Sequence, residues 1–316
     1  MRKEQWFSKG LVLAIAILIA GVTPALADIS VLWYTGGVGT NAGGTVGYQA
    51  DVTYLAGLAP VSPGGNTWDV TFWTGGAMPT GTFNVLVVPS PIGPWGTNPD
   101  YTALDTAAPS FDPTKQRVML SGQDADWHFM NHPGGAPDSL DPAHGFNGPE
   151  GFLLDSINWA GSGTGMGLVA LGQDGAGDCS GGATLATGGG FTSSTCTNND
   201  KVVIPGDVAS NPVNTGLTTA GLSNWFESSH QDFTALSSAW QGINVDGSFP
   251  NGPSGSDATC STSTPDANCN FVTIVSANSA GGGIGGGSVP EPSSIALFGT
   301  AMVLVVGGLR QRLRRS

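Results

Sequence analysis

The chain has 316 residues, of which 50 are glycine and only 10 % are charged. Its 23 acidic and 10 basic residues give a formal net charge of −13, and residues 28–288 alone hold 21 acidic and three basic residues. So acidic a body repels a phosphate backbone, which argues against nucleic-acid binding. The length is sufficient for one large or two modest domains with a proper hydrophobic core.

Residues 1–27 have the three parts of a secretory signal peptide. The basic segment MRKEQWFSKG precedes the apolar segment LVLAIAILIAGV, and TPALA ends in an Ala-x-Ala-type cleavage site. The apolar segment is shorter than the ~20 residues of a transmembrane helix. We expect export by the Sec machinery and cleavage that leaves Asp28 as the mature N-terminus.

The exported body, residues 28–278, alternates β-rich runs with helix-length segments. Strands are predicted at residues 29–35, 68–74, 83–91, 117–122, 167–172, 201–206 and 270–277, and helices at residues 46–58, 149–160 and 221–233. Residues 240–269 are predicted to be mostly turns. Strands separated by helices favour a single α/β domain with a parallel sheet, flanking helices and long Gly/Ser/Thr-rich loops. An all-β sandwich is the alternative, because glycine, serine and threonine are abundant and good helix formers are few.

The densest polar cluster directly follows the predicted strand at residues 117–122. Seven acidic or histidine side chains lie within 21 positions, namely Asp124, Asp126, His128, His132, Asp138, Asp141 and His144. At the carboxyl end of a parallel strand, such residues can bind a transition metal or act as acid and base. The spacing fits no His-Glu-x-x-His zinc signature, so a hydrogen-bonded structural loop is the simpler interpretation.

Two sets of candidates follow from this cluster. The candidate metal ligands are Asp124, Asp126, His128, His132 and His144. The candidate catalytic residues are Asp124, Asp126, His128 and the distant His230, for which no matching nucleophile is found.

Four cysteines, Cys179, Cys196, Cys260 and Cys269, form an even set. In an exported protein they predict two disulfide bonds, for which three connectivities are open. Nearest-neighbour pairing would close two Gly/Ser/Thr-rich loops.

Two clusters of Asp, Asn and Gly, at residues 172–178 and 244–257, offer oxygen ligands to Ca²⁺ but match no EF-hand, so solvated loops are the simpler interpretation. No organic cofactor is predicted, and Ca²⁺ or another divalent metal stays open. Eight tryptophans lie in the body, where they serve either core packing or stacking on sugar rings.

A Gly-rich linker, residues 279–288, connects the body to the last 28 residues. These contain the sequence VPEPS, an apolar segment at residues 294–309 and a basic end with four arginines. The apolar segment is a short membrane span, and the arginines are expected to stay on the cytoplasmic side. The tail therefore predicts attachment to the inner membrane by the C-terminus.

The order of these pieces resembles the PEP-CTERM sorting signal of Gram-negative bacteria, with Pro290, Glu291 and Pro292 as the motif. The resemblance implies recognition by an exosortase-type transpeptidase, removal of residues 289–316, and delivery to the outer surface or the extracellular matrix. Hosts of this system typically make exopolysaccharide, which is therefore an implied partner. An ordinary single-pass anchor is the alternative.

The body is similar in its order of elements to flavodoxin-like and class I glutamine amidotransferase-like domains. The segments VLWYTGG, WDVTFWTGG and FNVLVVPSP carry this likeness. An amidotransferase-like hydrolase needs a nucleophile on a sharp strand-to-helix turn, and that position holds Gln123 or Asp124 rather than cysteine. The sorting signal thus implies a surface or matrix protein, and the missing nucleophile implies that its body is non-catalytic. The alternatives are a secreted hydrolase with an Asp/His site and a calcium- or carbohydrate-binding module.

Overall fold

The computed structural model describes most of the predicted body. The described residues are 28–38, 47–63, 65–90, 99–130, 145–171, 184–186, 190–193, 197–198, 202–223, 229–230, 232–247 and 270–277. The predicted signal peptide, the linker, the sorting motif, the four cysteines, His132 and His144 lie outside these residues, as does the candidate calcium loop at 172–178. No helix within the described ranges is long and apolar enough to cross a membrane.

Runs of buried β-branched and aromatic residues form the strands, as their propensity predicts. The strands are β1 (Ile29–Tyr34), β2 (Trp68–Trp73), β3 (Val85–Val88), β4 (Val118–Ser121), β5 (Gly167–Ala170), β6 (Thr192–Ser193), β7 (Thr197–Asn198), β8 (Val202–Val203), β9 (Ser229–His230), β10 (Phe233–Thr234), β11 (Trp240–Asp246) and β12 (Phe271–Ser276). Ten of them form one sheet, and β7 pairs with β9 in a separate two-stranded sheet.

The first five strands are mutually parallel and lie in the order β2-β1-β3-β5-β4. Antiparallel strands extend this sheet, because β12 pairs with β4 and β11 pairs with the other edge of β12. Antiparallel neighbours need no crossover helix, so the helix-poor C-terminal part of the body can still add strands. The α/β class is therefore confirmed, with a mixed sheet where a wholly parallel one was predicted.

Helices flank the sheet. They are α1 (Gly47–Leu58), α2 (Tyr101–Ala107), α3 (Ala125–Met130), α4 (Pro149–Gly161) and α5 (Thr219–Leu222). The central helix is α4, which contacts β1, β3, β4 and β5 and is buried at every position except Glu150. It starts at Pro149, whose missing N–H costs nothing in the first turn. A Cβ at Gly151 would overlap the carbonyl oxygen of Phe146, so only glycine permits this close entry.

Alternate residues of the parallel strands pack into two apolar layers, one on each side of the sheet. Trp33 of β1 belongs to the layer that also contains residues of α1, α3 and α4. Its neighbours Leu32 and Tyr34 belong to the layer that contains Tyr101 and Leu104 of α2. The described residues all belong to one compact unit, Asp28–Gly287.

Two predicted elements differ from the structure. The helix predicted at residues 221–233 is absent among its described residues, since α5 ends at Leu222 and β9 and β10 follow. α5 ends because the backbone of Ser223 is extended, and the hydroxyl of Ser223 accepts the N–H of Val202 at 3.0 Å. Residues 240–246, predicted as turns, form β11 because tertiary pairing with β12 and β8 outweighs their poor local propensity.

Candidate functional site

The five parallel strands end at the same edge of the sheet, where α/β proteins usually place their sites. At this edge β3 leads through Pro89 to Ser90, and β4 leads through a three-residue turn into α3. The sequence predicted a loop for Asp124, Asp126 and His128 after this strand, but only Asp124 lies in the turn, and Asp126 and His128 lie on α3.

Asp126 joins the ends of β3 and β4. Its carboxylate accepts the hydroxyl of Ser90 at 2.5 Å and the backbone N–H of Ser90 at 3.0 Å. Both residues are fully buried. A carboxylate is far too weak a base to ionise a serine hydroxyl by itself, so this contact works as a charge-assisted clamp.

Asp124 and His128 form a second pair, with 3.4 Å between Asp124 Oδ1 and His128 Nε2. Residues four apart share one side of a helix, whereas residues two apart do not. His128 therefore points away from the side of α3 on which Asp126 holds Ser90. The three predicted residues make two separate pairs on one helix.

Two tyrosines complete the environment of the clamp. Tyr101 donates its hydroxyl to the carbonyl of Pro89 at 2.8 Å, and Tyr34 donates to the carbonyl of Asp100 at 2.8 Å. Burial raises the pKa of Tyr101, and the nearby Asp126 carboxylate adds to this. Burial likewise raises the pKa of Tyr34. Both hydroxyls therefore stay protonated and act as donors that hold α2 to the sheet edge.

Gln123 occupies the turn position that would carry a nucleophile in a hydrolase. It is fully buried, its N–H donates to Ser121 Oγ at 3.0 Å, and its amide reaches the carbonyl of Leu222 at 3.4 Å. A nucleophile elbow is a sharp, strained turn. Among the described residues other than glycine, Ala235 alone has a positive φ, so neither Gln123 nor Asp124 has a left-handed backbone.

Of the remaining predicted site residues, His132 and His144 lie outside the described part of the chain. His230 lies in β9 opposite Thr197, and the structure does not describe its side chain. Within the part of the chain that the structure describes, no three His, Cys, Asp or Glu side chains meet in a group that could hold a metal ion.

The tryptophans that the structure describes serve the interior rather than a sugar-binding face. Trp33, Trp73, Trp159 and Trp240 are buried. Trp68 is partly buried and donates its indole N–H to Asn158 at 2.8 Å. These five side chains therefore give no support to stacking on carbohydrate.

A third group of polar side chains lies where β10, β11 and β12 meet, and it includes Asp246 of the candidate calcium cluster at residues 244–257. Asn270 donates its amide to Asp232 at 3.0 Å, and Asp232 hydrogen-bonds to Asp246. Burial raises the pKa of Asp232 to about 7, and the charge of Asp246 adds to this shift. These residues are far apart in sequence, and only the pairing of β10 and β11 with β12 brings them together.

Comparisons of the chain with family models, with curated proteins and with solved structures found no match. The geometry and the sequence signals are therefore the basis for any functional conclusion.

Proposed function

We propose that this chain is an exported cell-surface or extracellular-matrix protein that is sorted by an exosortase-type transpeptidase and carries a non-catalytic α/β body. The observation that carries the proposal is the ordered C-terminal set of Pro290-Glu291-Pro292, apolar segment and arginines, opposite an N-terminal signal peptide. Before processing, the apolar segment 294–309 would hold the chain in the inner membrane. Exopolysaccharide is the matrix partner that the resemblance implies.

The described body is compatible with removal of both terminal segments. β1 starts at Ile29, two residues after the expected cleavage point, and β12 ends at Ser276, before the linker. Every strand of the sheet lies between these limits. Processing at either end would therefore remove no strand of the described sheet.

For the body we propose a relationship to flavodoxin-like or amidotransferase-like domains. The order β2-β1-β3 is shared with the flavodoxin-like order, in which the fourth and fifth strands follow in sequence. Here β5 is inserted between β3 and β4, and antiparallel strands follow, so this chain departs from that order in its second half.

Deletion of residues 289–316 is expected to release the body from the cell envelope into the soluble fraction, because the membrane segment and the motif are lost together. The measurement is fractionation of the host with intact-mass analysis of the surface-extracted protein. In the unaltered chain the mass should show loss of residues 1–27 and cleavage near Pro290.

A deletion of residues 279–286, within the linker, serves as the matched control, since it shortens the chain but keeps the motif and the apolar segment. It should sort like the unaltered protein. Unchanged localisation after deletion of residues 289–316 would refute the proposal.

The Asp124–His128 pair favours a second candidate, a secreted hydrolase in which the carboxylate orients the imidazole as a general base. If this candidate is right, His128→Gln should lower the hydrolysis of p-nitrophenyl acetate by 10²-fold or more, the usual contribution of a general base. Asp105→Asn, which changes a partly buried acid that accepts hydrogen bonds from Thr184, is the control and should leave the rate unchanged. The non-catalytic proposal predicts hydrolysis at the buffer rate for all three proteins.

A further inference from the structure

The expected cleavage point between Ala27 and Asp28 lies directly before an interior strand of the sheet. That strand, β1, starts at Ile29 and pairs with β2 on one edge and with β3 on the other. The main-chain groups of an interior strand bond to neighbours on both sides. The second residue after the cleavage point is therefore already part of the sheet.

The first three residues after the cleavage point are each held in place. The carboxylate of Asp28 accepts the hydroxyl of Thr67. The N–H of Ile29 donates to the carbonyl of Thr67 at 2.7 Å. Ser30 donates its N–H to Asn84 Oδ1 at 2.8 Å and accepts the N–H of Asn84 at 2.8 Å. Because Thr67 directly precedes β2 and Asn84 directly precedes β3, both neighbouring strands fix the start of β1.

The side chain of Ile29 is packed into the core. It is 2 % exposed and belongs to the apolar layer that also contains residues of α4. Gly161 of α4 lies so close that a Cβ at this glycine would stand 2.5 Å from Cγ2 of Ile29. Removal of Ile29 from the sheet would therefore expose an aliphatic side chain to water and also break the hydrogen bonds at the start of β1.

A protease cleft binds its substrate as an extended chain, through main-chain hydrogen bonds that resemble those of an added strand. In the folded body the N–H groups of Ile29 and Ser30 already bond within the sheet, so they cannot bond to a protease at the same time. Proteolysis accordingly concentrates at segments whose backbone is exposed and unpaired. The Asp28 side of the expected cleavage point is thus accessible in the unfolded chain and closed in the folded one.

We propose that the signal peptide of this chain must be removed before β1 enters the sheet. The reaction is hydrolysis of the Ala27–Asp28 peptide bond by a membrane-bound signal peptidase. Water is consumed, and the products carry a carboxylate on Ala27 and an α-ammonium group on Asp28. The inference rests on the proposed export and adds the order of its steps. A chain that folds first keeps residues 1–27 as an uncleaved membrane anchor.

The C-terminal processing reaction does not have this constraint. The last described residue, Ala277, donates its N–H to the carbonyl of Ala239 at 2.8 Å. Twelve residues, 278–289, separate Ala277 from Pro290, and a chain of this length spans up to roughly 40 Å when it is extended. A transpeptidase can therefore reach the motif while the body is folded. Sorting can follow folding, whereas removal of the signal peptide must precede it.

The test uses the full-length chain, residues 1–27 included, purified in urea and incubated with a bacterial signal peptidase in detergent. In one arm the enzyme is present when the urea is diluted, and in the other the chain first refolds, as followed by tryptophan fluorescence. Mass analysis quantifies the product that starts at Asp28. The refolded chain is expected to be cleaved roughly 10²-fold more slowly, or more slowly still, because Ile29 and Ser30 must first leave the sheet.

A spacer variant is the matched control. It carries a second copy of the linker, residues 279–288, between Ala27 and Asp28, so that the Ala-x-Ala motif is kept and the cleavage point moves ten residues away from β1. Its refolded form should be cleaved as fast as the unaltered chain that meets the enzyme during dilution. If the unaltered chain fails to refold while the spacer variant folds, the proposed order is supported as well, because the attached signal peptide then prevents folding.

Equal cleavage rates of the unaltered chain in the two arms would overturn the proposal. So would a refolded spacer variant that resists the enzyme as strongly as the refolded unaltered chain, because the protection would then not come from β1. A chain that the enzyme leaves intact in both arms would refute the signal peptide itself, and with it the export on which the inference rests.

Discussion

Asp126→Ala is expected to lower the free energy of unfolding by about 3 kcal/mol or more, because it leaves the buried O–H and N–H of Ser90 without an acceptor. The same change also removes the contact that holds the end of β3 against α3. The decrease in the free energy of unfolding is therefore larger than that expected from one side chain alone. Urea denaturation of the unaltered and variant chains, followed by tryptophan fluorescence, gives the two midpoints and their slopes.

Ser90→Ala is the matched control for this effect. It removes the hydroxyl but keeps the backbone N–H that donates to Asp126 at 3.0 Å. Its cost is expected to be about 1–2 kcal/mol, smaller than that of Asp126→Ala. A cost for Asp126→Ala at or below that of Ser90→Ala would show that the carboxylate does not clamp the two strands.

The stability of the body is expected to fall as the pH rises from about 4 to about 8, because Asp155 of α4 is a buried acid. Burial raises its pKa to about 8, whereas the same carboxyl in an unfolded chain ionises near pH 4. The folded state therefore keeps a proton that the unfolded state loses, and the stabilisation present below pH 4 is lost through pH 8. The slope contributed by one such group approaches roughly 1 kcal/mol per pH unit.

Asp155→Asn should flatten this dependence, because an amide stays neutral throughout. Urea midpoints at pH 5, 7 and 9, measured in EDTA, give the comparison. A residual slope is expected from Asp51 and Asp232, whose pKa values burial also raises. Asp69→Asn, at an exposed position, should leave the slope unchanged. Parallel profiles for Asp155→Asn and the unaltered chain would contradict the assignment to Asp155.

The sequence predicted the parallel half of the fold because β1, β3, β4 and β5 are largely buried and read as apolar runs, and because the edge strand β2 alternates. The run VLVV of β3 and the buried helix that starts at Pro149 were located within three residues of their observed limits. The later strands were harder to predict, since β10 has two residues and β11 includes Gly242. β10 and β11 form because they pair with β12, and no local sequence pattern predicts this pairing.

In the candidate sites, too, local sequence predicted the features of neighbouring residues but not the contacts between distant ones. Asp124, Asp126 and His128 are neighbours in the chain, so their common position after β4 was predictable, but neither the helix α3 nor the partner of Asp126 was predicted. Ser90 lies 36 residues earlier and meets Asp126 only because β3 and β4 end at one edge. A serine directly after a buried parallel strand was the one available signal. Asp246 belongs to the cluster at residues 244–257 that the sequence offered as a possible Ca²⁺ site, whereas Asp232 had no comparable signal.

The position of β12 determines when the sheet can be completed. The last strand of the described chain lies in the interior of the sheet, with β4 on one edge and β11 on the other. Synthesis at about 5–20 residues per second separates β4 from β12 by roughly 8–30 seconds. During that interval the edge of β4 has no strand to pair with. A chaperone that recognises exposed strand edges would find its substrate in the nascent chain and lose it once Phe271–Ser276 has emerged.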